Sequence, residues 1–86
     1  MSREKIVDIV NQLLMKNIQY ELENSVKWNE EDKMKEIGLD SLSYVKCIVE
    51  IEEKFHIEFN DDIFDPQKII TLRDIINRIE LKLYEK

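Results

Sequence analysis

Apolar positions recur at helical spacing in three stretches of the chain. Ile6, Ile9, Val10, Leu13 and Leu14 follow an i, i+3, i+4, i+7, i+8 pattern, one face of an amphipathic helix. Ser2 stands where a cap belongs, and Glu4 lies near the positive end of the helix dipole. The pattern predicts a helix from about Arg3 to Met15 or a little beyond. A second stretch begins at Ser41 and runs to about Phe55, with Asp40 as its cap and Gly38 permitting the turn before it. A third opens at Thr71, where Thr71 followed by Asp74 reads as a capping box with Asp in place of Glu. Leu72, Ile75, Ile76, Ile79 and Leu83 then share one face.

Between these stretches the pattern is irregular. Residues 17–38 read as a loop held down by Tyr20, Leu22, Val26, Trp28, Met34 and Ile37. Asn29 followed by Glu30, Glu31 and Asp32 reads as a cap and acidic first turn of a short helix reaching Met34 and Ile37. Asn60 to Pro66 reads as a short capped turn of helix stopped before the proline. With one Gly and one Pro, the chain lacks the corner residues of a many-turned β protein. The expectation is one all-α domain over residues 1–86, a small four-helix bundle. It has three longer helices, one short helix and a long loop between helices one and two.

Charge and size narrow the function. Eighty-six residues leave little room for an enclosed active-site cavity. Thirteen Lys and Arg against nineteen Asp and Glu give a net charge of -6, which argues against a nucleic-acid binder and for partners with basic surfaces. One Cys cannot make an internal disulfide, and no apolar run suits a signal peptide or a membrane span. A cytoplasmic protein without membrane insertion is expected.

Enzyme chemistry finds few candidates. The single His, His56, lies about four helical turns from Ser41, too far along one helix to serve as its base. It reads as a surface residue at a helix end, and Cys47 as a small core residue. A calcium loop starting at Asp32 puts Met34 at a ligand position, and one starting at Asn60 puts Asp65 where a Gly belongs.

Ser41 remains, at a helix start whose free N–H groups favour an attached phosphate. On a wheel of the second helix, Tyr44, Cys47, Ile48, Ile51 and Phe55 form the core arc. Leu42, Val45 and Val49 form a second apolar strip, bordered by Glu50 and Glu53 with Lys46 between them. A strip outside the core, rimmed by charge, reads as a docking surface. The alternative for Leu42 and Val45 is cover from the long loop, with Val49 the more exposed member.

The string Gly38-Leu39-Asp40-Ser41-Leu42, continued through Val45, Ile48, Glu52, Glu53, Phe55 and Ile57 to Thr71 and Leu72, resembles the acyl carrier protein family over nearly the whole chain. The resemblance implies that Ser41 receives a 4′-phosphopantetheine arm from coenzyme A through a Mg²⁺-dependent phosphopantetheinyl transferase, which Asp40 helps to engage. The arm would hold an acyl or aminoacyl group as a thioester, making the chain a non-catalytic, monomeric carrier. Leu42, Val45, Lys46, Val49, Glu50 and Glu53 would face loading and downstream enzymes with basic surfaces.

Three departures bear on subtype. Lys46 and Lys54 dilute the acid of the second helix, Tyr44 is bulky for its place, and the residues before Asp40 are Gly38-Leu39 rather than Gly-Gly. They favour a free-standing carrier of a bacterial specialised-metabolite pathway, polyketide or nonribosomal peptide. A fatty-acid or D-alanyl carrier is the alternative within the family. Outside it stand a helical interaction module using the Leu42–Val49 strip and, more distantly, an acidic metal-binding helical protein.

Overall fold

The structure is a computed structural model that describes residues 1–18 and 27–85. Tyr20, Leu22 and Val26, expected as loop anchors, lie outside the described residues. Three long helices, α1 (Arg3–Asn17), α3 (Ser41–Phe55) and α4 (Leu72–Glu85), enclose the core, and the four-residue α2 (Met34–Ile37) precedes α3. A 3-10 turn (Asp61–Phe64) joins α3 to α4.

Helix α1 starts as its sequence predicts, with the Lys5 amide donating to Ser2 Oγ at 3.2 Å. Its apolar stripe buries Ile6, Val10 and Leu14 against α3 and α4. Cys47, Ile48, Ile51 and Phe55 of α3 and Leu72, Ile75, Ile76 and Ile79 of α4 complete the core with Ile37 and Ile63. Removing each such side chain from water contributes about 1.5–3 kcal/mol before chain entropy is subtracted.

Polar clips fix the joints. The Asn11 amide donates to the Trp28 carbonyl and accepts from the Trp28 amide at 2.7 Å, which fastens the loop to α1. Arg3 binds Glu30, Asn77 and Glu80, so the loop, α1 and α4 meet on one guanidinium. Arg78 binds Asp62 at 2.7 Å, holding the 3-10 turn on α4.

Two expected caps are corrected by the structure. Asn29 does not cap α2. It forms a turn in which its amide donates to Asp32 Oδ2 at 2.8 Å, and the helix begins later, at Met34 after an extended Lys33. Lys33 pairs antiparallel with Thr71, Met34 donating to the Ile70 carbonyl at 2.9 Å and Leu72 to the Asp32 carbonyl at 3.0 Å. Pairing with the start of α4 outweighed the local helix signal. Asn60 precedes the 3-10 turn without a side-chain capping bond; its carbonyl accepts from Ile63 instead.

The box at Thr71 forms in part. Asp74 reaches back to accept from the amides of Ile70 (2.8 Å) and Thr71 (3.0 Å), while the Asp74 amide bonds the Thr71 carbonyl. The core arc of α3 also shifts slightly. Ser43 is buried, and Tyr44 is only half-buried because its hydroxyl reaches out to the Ile63 carbonyl.

Candidate functional site

Gly38 ends α2 in the left-handed region, at φ 100°, a conformation that costs a residue without a Cβ little. Two residues later Asp40 is extended and caps α3, its Oδ1 accepting from the Ser43 amide at 2.7 Å. That backbone bond, with one from the Ser43 hydroxyl, holds the Asp40 carboxyl below its ordinary range. Ser41 is thereby the first residue of α3 and is exposed. Among the described residues neither its hydroxyl nor the amides of Ser41 and Leu42 have a hydrogen-bond partner. The first turn of α3 carries no acidic residue. A hydroxyl and two free N–H groups therefore face solvent at a positive helix end, where a phosphodiester on Ser41 fits.

Beside Ser41 opens a cleft of about 760 Å³. One wall is α3, with Asp40, Tyr44 and Val45; the other comes from Lys33–Lys35 and from the segment Ile63–Ile70. Asp40 is committed to Ser43, and Asp65 accepts from the Gln67 amide at 2.8 Å. Lys33 and Lys35 have no ion-pair partner among the described residues, and with Asp40 and Asp65 they give the cleft two charged side chains of each sign. Sequence reasoning did not single out Lys33, Lys35, Phe64 or Ile70 for this wall. No local pattern marks them, because the Lys33–Thr71 pairing is what brings the two segments together.

On the outer face of α3, Leu42 is 78% exposed and Val45 and Val49 are each 43% exposed. Lys46 and Glu53 are exposed beside them. Glu50 differs: Lys16 donates to it at 2.7 Å and Asn17 at 3.0 Å, so its carboxylate is turned toward the end of α1. Those bonds, the Lys16 one foremost, hold its carboxyl below the ordinary range. Cys47 lies in the core, its thiol pushed up to about 12 by burial and then by the charge of Glu50. His56 ends α3 in the left-handed region, exposed, with its amide bonded to the Glu52 carbonyl.

A family model described as a phosphopantetheine attachment site matches residues 4–79. An acyl carrier protein of Coprothermobacter proteolyticus is 34% identical over 86 residues, the full length of both chains. The chain belongs to the acyl carrier protein family. An acyl carrier protein of Campylobacter jejuni is 40% identical over 47 residues, which is 55% of this chain and 58% of that one. The fold matches the solution structure of a hexanoyl carrier protein from the actinorhodin polyketide synthase of Streptomyces coelicolor. The TM-score is 0.73 over 91% of this chain and 90% of that one, at 20% identity.

Acyl carrier proteins are non-catalytic, and the cofactor of the family is a covalently attached 4′-phosphopantetheine. Family membership implies a phosphopantetheinyl transferase and acyl-handling enzymes as partners. No helix among the described residues is long and apolar enough to cross a membrane.

Proposed function

We propose that Ser41 is the attachment residue and that the chain holds acyl or aminoacyl groups as thioesters for a bacterial specialised-metabolite pathway in the cytoplasm. The observation that carries this reading is the unpartnered Ser41 hydroxyl on an open helix N-terminus beside an apolar-walled cleft. Ser41 Oγ attacks the phosphorus of coenzyme A's pyrophosphate that bears the pantetheine. A new O–P bond forms, the pyrophosphate bond breaks, 3′,5′-ADP leaves, and the serine proton passes to a base of the transferase. The arm supplies a terminal thiol that carries cargo as a thioester.

The chain's own residues do the rest. Asp40 fixes the first turn so that Ser41 is presented outward, and the amides of Ser41 and Leu42 face the phosphodiester. The cleft beside Ser41 receives the cargo, with Tyr44, Phe64 and Ile70 excluding water from it. Leu42, Val45 and Val49 dock partner enzymes, with Lys46 and Glu53 setting the charge at the rim.

A strip with Lys46 and Lys54 among its acids, and with Glu50 occupied by Lys16, supports a specialised rather than a housekeeping carrier. The net charge of -6 favours the second reading, a fatty-acid or D-alanyl carrier met by basic enzymes.

Incubation with coenzyme A, Mg²⁺ and a broad-specificity transferase, followed by intact mass, tests the assignment. One added phosphopantetheine that is lost in Ser41→Ala supports it. No addition to the folded protein, with an active transferase, overturns it.

A further inference from the structure

Tyr44 is the residue of α3 that the carrier reading leaves unexplained. Its ring stands in the cleft beside Ser41, and its position is fixed from two sides. The hydroxyl donates to the Ile63 carbonyl at 2.7 Å, and the Phe64 ring meets it edge-on, with centroids 6.3 Å apart and planes at 86°. Swinging the ring aside would leave a phenol and a carbonyl to find new partners and would break the aromatic pair. The ring is a fixed wall.

What lies behind that wall gives it a consequence. Cys47 and Ile48 follow Tyr44 at i+3 and i+4, on the same face of α3. Both are 1% exposed, and neither lines the cleft. On the α3 side the cleft therefore ends at Tyr44, one helical turn before Cys47 and Ile48, while its opposite wall reaches the buried Ile63 and Ile69. Cys47 is small, so a short side chain at position 44 would leave an apolar path from the cleft toward Ile48 and Ile51.

We propose that Tyr44 is a specificity-determining residue that sets the depth of the cleft, so that short acyl groups are sheltered while longer ones project into solvent. The inference rests on Ser41 carrying the cargo and on the cleft receiving it, and it adds which lengths of cargo the chain protects.

The test loads wild-type protein and Tyr44→Ala with acyl-phosphopantetheine from acetyl-, butyryl-, hexanoyl-, octanoyl- and decanoyl-coenzyme A. Thioester cleavage by hydroxylamine is then followed by intact mass. Each methylene withdrawn from water favours the sheltered state by up to roughly fourfold. In the wild type, protection should rise with length and then level off. In Tyr44→Ala it should go on rising, so that the longest cargo is cleaved several-fold more slowly than on the wild type.

Tyr44→Phe keeps the ring, so it should keep the wild-type length profile even if its melting temperature falls. Should Tyr44→Ala fail to fold, Tyr44→Leu replaces it with the same expectation. Superimposable profiles in wild type and a folded ring-less variant would overturn the proposal, as would protection independent of length in both. Failure of any cargo to load onto Ser41 would overturn the carrier assignment instead, and this inference with it.

Discussion

At the N-terminus of α4 the protein closes its own helix end. The amide of Leu72 donates to the Asp32 carbonyl, that of Arg73 to the Glu30 carbonyl and that of Asp74 to the Thr71 carbonyl, while Asp74 reaches back to Ile70 and Thr71. Arg73 adds ion pairs to Glu30 and Glu31. At the N-terminus of α3 only the third residue is capped, by Asp40, and the amides of Ser41 and Leu42 point outward without partners among the described residues. Both helices carry an apolar stripe and an Asp at their start, Asp40 as the cap of α3 and Asp74 within the first turn of α4. The difference is the turn at residues 30–32 and the bridging Lys33 after it, which dock on the start of α4 and leave the first amides of α3 open. A sealed end anchors the fold, and an open end can hold a ligand's charge.

The largest contrast should come from the two helix starts themselves. Ser41→Ala should abolish phosphopantetheine addition completely, read by intact mass, while the melting temperature stays within about 1–2 °C because Asp40 still caps α3. A large fall in stability would mean that Ser41 belongs to the fold. Leu72→Ala, at the matching position of α4, should destabilise by roughly 2–5 kcal/mol in urea titration, since Leu72 is fully buried at the sealed end. A cost below that range would show the sealed end to be loosely packed.

Smaller effects should separate the caps. Asp74→Ala should cost roughly 0.5–2 kcal/mol and leave the rate of modification unchanged. Asp40→Ala should lower the melting temperature and also slow the transferase; equal rates in the two variants would remove Asp40 from transferase recognition. On the outer face, Val49→Asp should weaken acyl-loading kcat/KM by about tenfold with little change in melting temperature. A loss of several degrees would place Val49 in the core despite its 43% exposure.

The weakest expected effect is a shared acid sensitivity. Hydrogen bonds from Ser43 hold Asp40 low. Burial would raise Asp74, but the amides of Thr71 and Ile70 bring it below its ordinary value. Because both folded-state pKa values lie below the unfolded ones, this stabilisation is full above about pH 4 and is lost as the pH falls below it. Thermal melts between pH 7 and pH 3 should show the decline only at the acid end, and Asp74→Ala should flatten it. An unchanged slope in that variant would assign the acid sensitivity to other carboxylates.

Much of this was legible from residues alone. Ser2, Asp40 and the apolar stripes are local signals, because a capping oxygen and a 3.6-residue period act within a few residues of chain. They placed the starts of the three long helices within about one residue and the ends of the first two within about two, and put Ser41 at a helix start. The exposure of Val49 followed from the same period, but the expectation that Val49 is more exposed than Leu42 is corrected: Leu42 stays uncovered, at 78% against 43%. Asn29 misled because the Lys33–Thr71 pairing holds Lys33 extended and delays the helix to Met34, and at Asn60 the turn forms through its backbone carbonyl without a side-chain bond.

The sequence by itself determined the three long helices, the caps of α1 and α3, the acidic balance and the family. Only the tertiary structure decided that the Lys33–Thr71 pairing seals α4, that Lys16 and Asn17 occupy Glu50, and that Tyr44 and Phe64 end the cleft beside Ser41. Those contacts join residues 20 to 38 positions apart. Their energy exists only once the apolar stripes have packed and brought distant segments within hydrogen-bonding reach, and no periodicity along the chain encodes it.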